Sequence, residues 1–183
     1  MFVLPIVQSA PPLKGGDMSR LKTRSWFSSA LGSIWLEHSI RTGIAAAASL
    51  ALARLLSMPE SYWAAITTLI VMQSTLGAAW TVSKQRFIGT AVGAASGWLL
   101  ASYCEPGIIV FGVAIFALGL VCPILRLDQS AYRFAGVTLA IVILLERGKP
   151  PYLIAVHRFV EVSLGIAVAL ALAALWPAKE VPS

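Results

Sequence analysis

The stretch from Arg86 to Tyr103 reads R-F-I-G-T-A-V-G-A-A-S-G-W-L-L-A-S-Y, with Gly89, Gly93 and Gly97 at four-residue intervals and no charge after Arg86. That spacing places the three glycines along nearly one face of a helix. In water the helix is poor, because each interior glycine costs about 1 kcal/mol relative to alanine. In lipid, apolar side chains gain nothing by exchanging one oil for another. Small residues that let backbones approach then become the packing device. The stretch predicts a central membrane helix, with Gly89, Gly93 and Gly97, joined by Gly165 further on, as packing positions rather than pathway lining.

Composition agrees with that reading. Of 183 residues, 58% are hydrophobic and 12% charged, against about 25% charged in a soluble domain. The expected class is all-α and integral to a membrane. The 14 Lys and Arg against 8 acids suit anionic lipid or an anionic solute. Their dispersal among apolar segments argues against nucleic acid. Cys104 and Cys122 do not make a disulfide framework, and no spacing suits a metal or other cofactor. The N-terminus M-F-V-L-P-I lacks the basic n-region of a signal peptide, and Met18 is an alternative start.

The chain divides into a basic arm (1–38), a six-helix transmembrane region (39–177) and a short tail (178–183). Pro11, Pro12, Gly15 and Gly16 argue against regular structure early in the arm. Lys14, Arg20, Lys22 and Arg24 then precede Phe27, Leu31, Ile34 and Trp35, one helical face suited to the headgroup region. The spans are expected near 39–58, 62–80, 86–103, 108–125, 134–145 and 157–176, with a polar loop at 81–86. Six runs of this kind match a hydrocarbon core about 30 Å thick. Ten basic residues fall on one side, including Arg41, Lys84 and Arg86, and four on the other, including Arg54 and Arg158. By the positive-inside rule both termini are cytoplasmic.

Tyr62, Ala65, Thr68 and Leu69 can be laid on Tyr132, Ala135, Thr138 and Leu139, and Arg86, Phe87 and Gly93 on Arg158, Phe159 and Gly165. The offsets are 70 and 72. Three spans is an odd number, so the second copy would enter from the opposite side, as in inverted-repeat transporters. Arg86 would then guard the inner end of the third span and Arg158 the outer end of the sixth.

No nucleophile–base pair or phosphate loop is present, so no enzyme is expected. Glu161 lies three residues after Arg158 and four after His157, both same-face spacings. An ionisable group at this depth is a functional candidate: Glu161 with His157 either couples transport to protons, or Arg158–Glu161 only fixes a helix end. Gln73, Thr68, Thr90 and Ser96 either line a path or bond neighbouring helices. Arg41, Lys84 and Arg86 either attract an organic anion or set topology.

The run Y-W-A-A-I-T-T (62–68), then Val71-Met72-Gln73, then R-F-I-G-T-A-V-G (86–93), resembles the fusaric acid resistance and aromatic acid exporter family. Arg41-Thr42-Gly43 looks like that family's first span, and Arg158, Glu161, Gly165 and Trp176-Pro177 look like its last. The resemblance covers about residues 39–177. It implies a bacterial inner-membrane, six-helix unit that exports aromatic carboxylic acids or related small organic anions. The candidate pathway residues are Arg41, Gln73, Arg86, Thr90, His157, Arg158 and Glu161. Plant aluminium-activated malate channels look similar in their membrane part and work as dimers. Many bacterial relatives join two units and add cytoplasmic domains, so a chain with one unit is expected to pair as a homodimer. The alternatives are a passive anion channel, or a scaffold whose arm binds lipid or a partner.

Overall fold

The computed structural model describes residues 18–73, 75–105, 107–145 and 149–176, with side chains from Trp35 onward. The described residues form six α-helices and no strand: α1 (Met18–Leu55), α2 (Tyr62–Val71), α3 (Leu76–Tyr103), α4 (Ile108–Ile124), α5 (Gln129–Ala140) and α6 (Pro151–Leu175). Helix α5 continues as a π-helical turn, Ile141–Leu145. The chain divides into two compact units, Met1–Trp35 and Leu36–Ser183. In the first, the backbone is helical from Met18, so the basic run 20–24 is helical. The face of Phe27, Leu31 and Ile34, the earlier arm and the tail lie outside the described residues.

Several boundaries differ from expectation. The apolar run 62–80 is not one helix. It breaks after Val71, Met72 is extended, and α3 begins at Leu76, where the Thr75 hydroxyl accepts from the Ala78 amide at 3.2 Å. A threonine cap of this kind satisfies a donor that the first helical turn leaves over, so a helix starts there, after the polar run Gln73-Ser74-Thr75. Trp80 and the expected loop 81–86 therefore lie inside α3. Arg86 is its eleventh residue rather than at an end. Helices α5 and α6 also start earlier than expected, at Gln129 and Pro151.

Beside an apolar core, many large apolar side chains are exposed and several polar ones are buried. Ile108 is 89% exposed, Leu175 82% and Phe116 68%, while Arg41, Arg86, Arg158, Glu161, Thr67 and Thr68 are buried. Among the described residues, α6 is the helix long and apolar enough to cross a membrane by length and composition; α2, α4 and α5 with its π turn are shorter apolar helices.

Helix α3 packs against α5 and α6, and α2 packs against α6. Glycine sets the approach. A Cβ on Gly93 would stand 2.9 Å from the Ala135 Cα of α5, and one on Gly97 would stand 2.9 Å from Val142 Cβ. On the other side, a Cβ on Gly165 would meet Thr67 Cβ of α2 at 2.7 Å. Helix α1 turns Arg41, Ala45, Ser49 and Ala53, one residue every four, into the unit.

The contacts correspond pairwise between the halves. Residues 72 apart in α3 and α6, and 71 apart in α2 and α5, make like contacts. Gly93 lies on Ala135 as Gly165 lies on Ala64. The Arg86 guanidinium lies over the Phe134 ring as that of Arg158 lies over Trp63. Phe87 and Phe159, equivalents of each other, meet with ring centroids 4.9 Å apart. The offset of 70 for the second helices is thus one residue short. Alanine and threonine recur there closely enough to permit either alignment, and only packing chooses.

These contacts predict unequal responses to one added methyl. Gly93→Ala must push backbone apart and should cost about 1–3 kcal/mol. Gly43→Ala, with nothing within 4 Å, should be neutral or slightly stabilising. Thermal unfolding of the purified variants in detergent checks the difference; equal melting temperatures would contradict it.

Candidate functional site

Three buried arginines come from three helices, and the structure gives each a different environment. Arg41 of α1 donates from Nη1 to the Trp176 carbonyl at 2.9 Å and from Nη2 to the Gln73 carbonyl at 2.6 Å. Both carbonyls lie just past helix ends, those of α6 and α2, where the helix dipole is negative and cations are favoured. The Gln73 side chain turns back to the Ile70 carbonyl at 3.0 Å. The Trp176 indole donates to Glu37 Oε1 at 3.2 Å. Arg41 therefore ties α1 to the C-terminal ends of two other helices.

Arg158 of α6 is held by two carboxylates. Its Nη1 lies 3.4 Å from Glu161 Oε2, its Nη2 donates to Glu60 Oε2, and its guanidinium stands 4.4 Å over the Trp63 ring. Glu60 Oε2 also accepts from the Tyr62 hydroxyl at 2.8 Å and the Trp63 indole at 3.0 Å. Glu161 Oε1 accepts from the Glu60 amide at 3.0 Å. Side-chain exposure is 3% for Arg158 and 1% for Glu161. The i, i+3 pair expected from spacing is present, and Glu60 joins it. His157 is half-buried, and Glu161 takes its hydrogen bonds from Arg158 and the Glu60 amide rather than from His157. Glu60 escaped the sequence reading because Pro59-Glu60 looks like an ordinary turn. Its partners are 98 and 101 residues away.

Arg86 of α3 is 5% exposed. Nε and Nη2 donate to the Thr67 hydroxyl at 3.3 and 3.1 Å, and the guanidinium lies 4.8 Å from the Phe134 ring centroid. No carboxylate among the described residues pairs with it. The equivalence of the halves explains why. Glu161 and Glu60, which hold Arg158, correspond to Gly89 and Ala131, which pack backbone to backbone beside Arg86. Thr90 is buried on the same helix. Thr67 and Phe134 were not singled out from sequence, since both read as ordinary span residues.

The fusaric acid resistance protein-like family matches residues 45–172, more than two thirds of the chain. The chain belongs to that family, as the motifs at 62–73 and 86–93 implied. Comparison with curated proteins gives no match, and neither does comparison with solved structures.

Glu60 lies in the turn between α1 and α2, and its titration is readable. Burial pushes its carboxyl up, but the Tyr62 hydroxyl, the charge and hydrogen bond of Arg158 and the Trp63 indole outweigh this and leave it below its ordinary value. A carboxyl lowered by folding stabilises the fold fully above its ordinary value, and that contribution is lost as pH falls through the folded-state value. Melting temperature should therefore drop between roughly pH 5 and 3, less steeply in Glu60→Gln than in the wild type. Parallel slopes in a pH series of unfolding curves would contradict this.

Proposed function

We propose that this member of the fusaric acid resistance protein-like family is a bacterial inner-membrane transporter unit that exports small organic anions of the aromatic-acid type, with Arg86 as the anion-binding group. The observation that carries the reading is the buried Arg86 guanidinium with no carboxylate beside it among the described residues. Removing a cation from water costs several kcal/mol unless an opposite charge meets it. One hydroxyl and one ring face meet it only in part, whereas Arg158 has two acids. An organic carboxylate supplies what Glu60 and Glu161 supply to Arg158, and Phe134 offers an aromatic substituent a face to pack on.

Membrane insertion is supported by the family, by the exposed apolar exterior and by the length of α6. Helix α2 rises about 15 Å, half of a hydrocarbon core about 30 Å thick, so the second crossing needs residues beyond α2. With Arg41, Lys84 and Arg86 inside helices, the cytoplasmic placement of both termini rests on Lys14, Arg20, Lys22, Arg24, Arg126 and Lys179 against Arg54, Arg147 and Lys149. The paired contacts support two inverted three-helix repeats, with the anion near their interface. Two copies form the working unit, and lipid surrounds it.

Glu161 is the titratable group of this scheme. Arg158, Glu60 and Lys149 are the charged groups that act on it. Its protonation leaves Arg158 to Glu60 alone, which loosens the α2–α6 contact and links a proton to movement of one repeat against the other.

Reconstituted protein tests both parts. Saturable flux of radiolabelled benzoate-like acids should fall about 10- to 100-fold in Arg86→Gln, the range for losing a hydrogen-bonded charge pair, with partial retention in Arg86→Lys. Absence of flux for a broad panel of organic anions would favour a non-transporting scaffold, and unchanged flux in Arg86→Gln would remove Arg86 from the site. In Glu161→Gln, pH-dependent export should disappear at unchanged protein level; a preserved pH profile would end the proton-coupling part.

A further inference from the structure

The pairing of the halves extends to two surface grooves between α3 and α6, one on each side of the Phe87–Phe159 contact. The first, about 500 Å³, is lined by Tyr152, Ala155, Val156, Phe159, Ala94 and Trp98. The second, about 310 Å³, is lined by Trp80, Ser83, Lys84, Phe87, Ile166 and Leu170. These six residues of the second groove each lie 72 positions from a counterpart in the first, and Ile88, which also lines the second, has none there. Where the first groove has Ala155 and Val156, the second has Ser83 and Lys84.

That exchange makes the two grooves a comparison within one molecule. The Ser83 hydroxyl is buried, makes no hydrogen bond among the described residues, and its residue belongs to the groove wall. A buried hydroxyl with no partner costs free energy unless something enters to bond it. Lys84 is exposed, with its ammonium 5.9 Å from the Trp80 ring centroid. Eight residues into a 28-residue helix, it can extend its charged end to the lipid headgroups while its stem stays in oil. The rest of the groove is apolar.

From this we infer a binding site for an anionic glycerophospholipid. The phosphate pairs with Lys84 and the lipid accepts the Ser83 proton, while one acyl chain lies along Phe87, Ile166 and Leu170 and Trp80 borders the headgroup. Charge complementarity selects this occupant over a zwitterionic lipid. The counterpart groove, with alanine and valine at the two polar positions, takes acyl chains without regard to headgroup. The inference rests on the membrane reading above.

Tryptophan quenching tests it, because Trp80 borders one groove and Trp98 the other. The protein is reconstituted into phosphatidylcholine vesicles carrying brominated phosphatidylglycerol or brominated phosphatidylcholine. The wild type should prefer the anionic lipid about fivefold, as one basic group near charged headgroups provides. Trp80→Phe should lose the excess quenching, and Trp98→Phe should keep it. Lys84→Val should abolish the preference, and adding Val156→Lys should transfer it to Trp98. Ser83→Ala, which copies the other groove and disturbs packing least, should weaken the preference and so keeps the test valid if the lysine variants fold poorly. Equal quenching by the two lipids overturns the proposal, as does an excess that survives Lys84→Val. Loss of the excess on adding inorganic phosphate also overturns it, since the site would then take a free anion rather than a lipid. Failure of the protein to float with vesicles of any composition overturns the membrane reading itself, whereas flotation with equal quenching overturns the groove alone.

Discussion

Two pairs of helices touch at points where one partner has no side chain, and that closeness decides what else the unit can hold. With Gly89 and Gly93 against Ala131 and Ala135, α3 and α5 meet backbone to backbone. A side chain one turn from such a contact has little room except along the partner's flank. Arg86, three residues before Gly89, lies there over Phe134. The same geometry at Gly165 and Ala64 sends Arg158 over Trp63. Dispersion and weak backbone contacts at glycine stand in for a hydrophobic driving force that lipid does not supply. The cations are placed by that packing rather than by pairing with each other.

The halves share a backbone arrangement and differ in charge. On the α2–α6 side, the place of Gly89 is taken by Glu161 and that of Ala131 by Glu60, so the contact carries a carboxylate reaching the Glu60 amide. This side is electrostatically complete: one guanidinium, two carboxylates, an aromatic face and two further donors from Tyr62 and Trp63. Its worth lies less in net stability, since buried ion pairs often only break even against apolar packing, than in fixing one arrangement of the turn before α2. The α3–α5 side is sterically tight and electrostatically open. The two halves thus share a backbone arrangement while only one of them, among the described residues, balances its buried arginine with carboxylates.

The glycine periodicity, the apolar helices and the same-face spacing of Arg158 and Glu161 were legible because each is a property of one helix. What stayed hidden depends on partners distant in sequence. The break after Val71 coincides with the polar run Gln73-Ser74-Thr75, which the expected span 62–80 passed over. It is set by the Thr75 cap and by Arg41, 32 residues earlier, taking the Gln73 carbonyl. Glu60 looked like a turn residue because its role requires α6. The repeat was visible, but its register in α2 and α5 was misread by one residue, since small residues at adjacent positions align almost equally well until a glycine is seated on one of them.

The break also separates the roles of two arginines that composition treats alike. Broken membrane helices expose peptide dipoles, and an exposed N-terminal end attracts anions. Here the end presented by α2 beside Arg41 is C-terminal, with carbonyl oxygens outward, and the end of α6 meets it there. A guanidinium between two such ends is already opposite partial negative charge from both, so an incoming anion would compete with carbonyls it cannot replace and meet their repulsion. Arg86 sits within a continuous helix, where the backbone carbonyls are used by the helix itself, and its field is opposed by one hydroxyl and one ring. Of the three buried arginines, it is therefore the one that, among the described residues, has neither a carboxylate nor a helix C-terminal carbonyl as partner.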